Sequence, residues 1–150
     1  MTDVPDHTHT VSNGKRDVTL EELALMQPGL DRMMAELGQR MHRLYYSGLV
    51  GNWPAAAYFY RSTVKQLRLC GWSRPKYADA IERYLTDDCA PVSAAIEEKH
   101  RDSFLAAYQR MVDRANDYHD AFGYGFLVWK APGHPPEDLD LEPTTHPHQS

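Results

Sequence analysis

Apolar side chains recur with helical spacing through the middle of the chain. Leu30, Met34, Leu37, Met41, Leu44 and Gly48 step by four, three, four, three and four, the a/d seam of a bundle helix. Pro28 suits the first turn of that helix, and Thr19 with Glu22 has the spacing of a capping box for a short preceding turn. A second seam runs Trp53, Ala57, Tyr60, Val64, Leu67, Gly71, opened by Asn52 as N-cap and by Pro54 in the first turn. A third runs from near Pro75 through Tyr77, Ile81, Tyr84 and Leu85. It breaks around Asp87 to Pro91 and resumes at Val92, Ala95 and Ile96, because proline disrupts a helix interior. The fourth is Phe104, Tyr108, Met111, Ala115, Tyr118 and Phe122, ended by Gly123. No segment alternates with period two for long enough to make a strand; residues 125–130 are β-prone but alone. Four helices with short connections predict an all-α fold, an up-down-up-down four-helix bundle.

Composition divides the chain of 150 residues into three parts. Residues 1–17 are polar, and residues 131–150 hold five of the ten prolines, so both read as flexible tails around a bundle at 18–130. Five of the eight histidines (His7, His9, His134, His146 and His148) fall in these tails and carry no site. A formal charge of −5 argues against a general nucleic-acid binder. No apolar run approaches a membrane span, and the first twenty residues contain no apolar leader, so a cytoplasmic protein is expected. Cys70 and Cys89 form no C-x-x-C, which removes a disulfide framework and a cysteine zinc site.

The candidate chemistry is sparse. His119 lies beside the fourth seam near its C-terminal end and is expected to point into the bundle, as a metal ligand or as a core-edge histidine satisfied by a neighbour. Glu97 and His100 have the i, i+3 spacing that di-iron bundles use, but a second copy of the unit is missing, as is any acidic residue between Asn52 and Trp72. Arg40, His42, Arg43, Tyr45, Tyr46, Asn52, Trp53, Tyr58, Tyr60 and Arg61 cluster where the first helix meets the second; they can line a pocket or pack the bundle end. Met33 and Met34 are the methionines placed for a pocket, though a methionine stripe also serves as core filler. Ser-His-Asp arrangements, phosphate loops and nucleotide fingerprints are lacking.

The stretch G-Q-R-M-H-R-L-Y-Y-S-G-L-V-G-N-W-P-A-A-A-Y (38–58) resembles the cytochrome c-prime-like four-helix haem proteins, which read R-x-x-x-L-x-x-A-G-x-x-G-N-W-x-L-A-x-Y there. A-I-E-E-K-H-R-D-S-F-L-A-A-Y-Q-R-M (95–111) is similar to their A-I-x-A-x-D-x-x-x-F-x-x-A-Y. His119, Gly123, Phe126 and Pro132 follow their C-x-x-C-H-x-x-x-G-x-x-F-I-x-x-x-P ending. The likeness covers roughly residues 28–132. It departs at the attachment motif, where Ala115-Asn116-Asp117-Tyr118-His119 replaces C-x-x-C-H: the axial histidine stays and both thioether cysteines are gone.

The resemblance implies haem b held non-covalently by His119, with Met33, Met34 and Leu37 on the distal side. Ala115 and Tyr118 stand where the cysteines were, and Phe122, Phe126 and Trp129 cover the proximal end. Such a bundle would be a small haem-dependent oxidoreductase, possible in a biosynthetic pathway, or a gas-binding protein, since an apolar distal wall leaves iron five-coordinate. Arg40, His42, Tyr45, Trp53 and Arg61 would then face a small-molecule substrate. Pairing through the first helices, as in this family, implies a homodimer. Two alternatives remain open: a haem-free bundle serving as a small-molecule-binding or protein-interaction module, and a non-haem metal enzyme using Glu97, His100 and His119.

Overall fold

The computed structural model describes residues 9–143, and these are predominantly helical. A hairpin of β1 (Thr10–Ser12) and β2 (Asp17–Thr19) leads into α1 (Leu20–Leu25). α2 (Leu30–Leu49) and α3 (Trp53–Ser73) follow, then a single 3-10 turn (Pro75–Tyr77) and α4 (Ala78–Tyr84). A π-turn (Leu85–Cys89) joins α4 to α5 (Ala90–Glu97), and α6 (Arg101–Ala121) is the last helix. No helix among the described residues is long and apolar enough to cross a membrane. α2 packs chiefly along α3, α3 along α4, and α5 along α6, which also returns to α2.

The local signals act as expected. Thr19 Oγ1 accepts from the Glu22 amide while Glu22 reaches back to the Thr19 amide, closing the capping box. Asn52 caps α3 through the Ala55 amide, and Gly123, at φ +83°, follows the end of α6 because glycine enters that region without steric cost. The core takes Met33, Leu37, Met41 and Leu44 from α2, Ile81, Tyr84, Val92 and Ile96 from the α4–α5 rod, and Phe104, Tyr108 and Met111 from α6.

Three expectations are corrected. First, α4 and α5 do not break at Pro91. The π-turn widens the helix, with the Ala90 amide bonding the Leu85 carbonyl five residues back. That loosening accommodates a residue that cannot donate and whose ring crowds the preceding turn. Second, α3 is rotated relative to its expected seam: Ala56, Thr63, Gln66, Leu67, Cys70 and Gly71 are buried, while Tyr60 and Val64 are only partly covered. Third, both expected tails hold structure. Residues 10–19 form the hairpin, turned by Asn13, whose Oδ1 accepts from the Lys15 and Arg16 amides, and Val18 is buried. Residues 124–143 run back over α2 and α6 as a strap. Stretches 1–8 and 144–150 of the expected tails, with His7, His146 and His148, lie outside the described residues.

Gly48 is buried on α2, and a Cβ there would overlap the ring of Phe104. The ring is fully enclosed, so relief would require moving α6. Gly48→Ala is therefore expected to lower the unfolding free energy by about 2 kcal/mol, read as a lower urea midpoint at constant slope; an unchanged midpoint would contradict this packing.

Candidate functional site

His119 sits in the last turn of α6, half-buried, and does not face the helical core. Its Nδ1 lies 2.9 Å from the Leu127 carbonyl. A carbonyl can only accept, so Nδ1 carries the proton and, in the neutral ring, Nε2 keeps a free lone pair. Beside it, Trp129 is clamped to α6: its amide donates to Asn116 Oδ1 at 2.7 Å and its carbonyl accepts from Asn116 Nδ2 at 2.9 Å. The indole lies over Gly38 of α2, where a Cβ would come within 2.7 Å of it. Tyr118 turns the other way and packs edge-on against Tyr84 of α4, with ring centroids 5.8 Å apart.

The residues expected to enclose haem therefore do not converge on a slot. Met33 and Leu37 are members of the packed core, and Met34 and Ala115 pack against it. Phe122 and Phe126 are 42% and 77% exposed; Phe122 meets Tyr77 and Phe126 meets Tyr124 on the outside. A porphyrin between α2 and α6 would have to displace Trp129, so the side chains as packed do not fit the group.

A metal set of Glu97, His100 and His119 is corrected outright. α5 ends at Glu97, and Lys99 at φ +53° turns the chain. His100 is the N-cap of α6, its Nδ1 accepting from the Ser103 amide at 3.1 Å. It lies nineteen positions before His119 along α6, about 28 Å at the helical rise. Among the described residues no three His, Cys, Asp or Glu side chains stand together as a metal site.

The cluster at 40–61 mostly turns out to hold the strap. His42 Nε2 donates to the His134 carbonyl at 2.7 Å, and Arg43 pairs with Asp138 at 2.5 Å. The Tyr46 hydroxyl reaches the Pro132 carbonyl, and Asn52 Nδ2 donates to the Leu141 carbonyl at 3.0 Å. Leu141 is itself buried. Arg40 instead turns to Gln66 of α3 at 2.6 Å. Tyr45 packs on Tyr108, and Trp53 meets Phe104 edge-on. Tyr60 and Arg61 of this cluster face a concavity. It is an open groove of about 590 Å³ between α3 and α4, lined also by Val64, Lys65, Arg68, Leu69, Trp72 and Glu82. None of the residues expected around haem lines it.

Tyr60 on that groove and the buried Cys89 and Tyr84 behind it are groups that burial holds in their protonated forms. Burial pushes the Cys89 thiol up to about 12. Burial first, and then a nearby Cys89 thiolate, would push the Tyr60 hydroxyl up to about 12. Tyr84, whose hydroxyl donates to the Met111 carbonyl, is raised as well, again mainly by burial.

With the geometry in view, comparison with known proteins adds no family: no family model, no curated protein and no solved structure matches this chain. The likeness to the cytochrome c-prime-like proteins rests on the quoted residues alone.

The raised pKa values give a signed prediction. Both groups stay protonated in the folded chain after their unfolded counterparts ionise, so the stability they contribute is complete below about pH 9 and is lost as pH climbs toward 12. Urea unfolding should be level up to about pH 9 and fall beyond it, less steeply in Cys89→Ala. A level profile to pH 12 would contradict the burial of this cluster.

Proposed function

We propose that the chain is a four-helix bundle, with α2, α3, the α4–α5 rod and α6 as its helices, that works as a haem-free binding module. The observation that carries this reading is the seating of Trp129 between Gly38 and Asn116, together with Tyr118 against Tyr84. Where the resembling family leaves room for a porphyrin, this chain has put the indole of Trp129, and Tyr118 is committed to Tyr84. Binding fits the arrangement better than catalysis, because the polar side chains at 40–52 already direct their hydrogen bonds to the strap and to Gln66. The strap also occupies His42, Arg43 and Tyr46 on α2, the helix through which the family pairs, which favours a monomer over the expected homodimer.

A second reading keeps haem b on His119. One observation favours it: the Nδ1–H bond to the Leu127 carbonyl is the way a protein fixes an imidazole whose Nε2 ligates a metal. On this reading the strap would have to lift off, and the group would supply a gas-binding or redox centre to the bundle.

Absorption spectra separate the two. Purified after expression with a haem precursor, the native chain and His119→Ala should both lack a Soret band while showing equal helical circular dichroism. A Soret band in the native chain that is lost or shifted in His119→Ala would establish the haem reading instead.

A further inference from the structure

The outer face of α3 carries a stripe of aromatic, aliphatic and cationic side chains that is exposed among the described residues. Tyr58, Arg61, Lys65, Leu69 and Trp72 step by three, four, four and three along it, about 21 Å of straight helix. Trp72 is 79% exposed and Tyr58 61%, unusual for residues of that size. Arg61 and Lys65 have no carboxylate partner among the described residues, while Arg68 makes an exposed pair with Glu82 at 3.4 Å. Such a pair is worth little and exchanges readily. A second concavity of about 470 Å³ continues the groove past Trp72 toward Pro75 and Ala78, so the recess follows the helix rather than closing round a point.

The charge along this helix is one-signed: α3 carries Arg61, Lys65 and Arg68 and no Asp or Glu, with Glu82 of α4 the acidic residue lining the groove, on a chain whose formal charge is −5. A cationic flank on an anionic protein steers and selects an anionic partner. A second copy is a poor occupant, because a two-fold pairing of α3 with itself would set Arg61, Lys65 and Arg68 against the same residues. A polynucleotide would gain from stacking on Trp72 and Tyr58, but its phosphates would meet the acidic remainder of the molecule. A helix with an apolar stripe flanked by carboxylates matches the length, the straightness and the charge at once. Trp, Tyr and Arg are also the side chains that most often anchor such contacts.

We propose that α3 and the edge of α4 form a docking groove for an acidic amphipathic helix of a partner protein, with Tyr58, Leu69 and Trp72 as apolar contacts and Arg61, Lys65 and Arg68 as carboxylate partners. This names the partner class of the binding module proposed above and rests on that reading.

The probe is a synthetic helix of about 18 residues with leucines at i, i+3, i+4 and i+7 and glutamates elsewhere, labelled for anisotropy and titrated with the full chain. Saturable binding is expected, weakened about tenfold or more in Arg61→Glu/Lys65→Glu and in Trp72→Ala, and weakened similarly for a scrambled peptide of the same composition. These positions are exposed, so the variants should match the native chain in circular dichroism and melting. The proposal is overturned by no saturation below about 1 mM, by equal affinity of the scrambled peptide, or by variants that bind like the native chain. Tighter binding of an oligothymidine than of the peptide would overturn it in favour of nucleic acid. An absorption spectrum of the same sample keeps the two readings apart: a failed titration without a Soret band removes the docking groove alone, and a Soret band with intact peptide binding removes only the haem-free state.

Discussion

The architecture turns on the clamp that Asn116 and Gly38 make around Trp129. Asn116 offers both halves of its amide to one residue of the strap, satisfying a backbone donor and a backbone acceptor that would otherwise be half-buried without partners. Gly38 contributes by having no side chain, which lets the indole rest against α2. From that anchor the strap is laid down in both directions. Upstream, Leu127 reaches the His119 ring; downstream, His134, Asp138 and Leu141 are tied to α2 and to the start of α3. Without it, His42, Arg43 and Tyr46 along α2 would lose their partners in the strap.

This arrangement shows how a chain can resemble a haem-binding pattern in its residues while Trp129 fills the gap between α2 and α6. The glycine, asparagine-tryptophan-proline and phenylalanine-tyrosine positions that carry the resemblance have structural tasks here. Asn52 caps a helix and Phe104 fills the space over Gly48, while Tyr108 donates to the Met41 carbonyl. Those tasks are needed whether or not a porphyrin is present. Only the stretch at 115–119 speaks to haem directly, and there Tyr118 turns toward Tyr84 and His119 toward the strap. The binding surface proposed above lies elsewhere, along the cationic and aromatic outer face of α3.

Much of the helical pattern was legible because its causes are local. The α2 and α6 seams, the capping box at Thr19 and Glu22, the Asn52 cap and the Gly123 stop depend on residues within a turn or two of one another. The face of α3 was not, because apolar residues surround that helix; which side is buried depends on small residues such as Ala56 and Gly71 letting neighbours approach. The strap was not legible either. Its proline-rich, acidic composition has the look of an unpacked tail, and its partners stand as far as 95 residues away in sequence. Likewise, the outcome for His119 depended on a carbonyl eight residues on, whose position the strap decides.

Trp129 closes the gap between α2 and α6 by resting on Gly38, and that proximity can be measured directly. Nuclear Overhauser cross-peaks between the Trp129 indole protons and the Gly38 Hα protons, recorded alone and with excess zinc protoporphyrin as a diamagnetic haem substitute, report on that contact. The account predicts cross-peaks that are present in the chain by itself and unchanged by the porphyrin. Their absence from the chain alone, or their loss on adding porphyrin together with a shift of the His119 ring resonances, would contradict it.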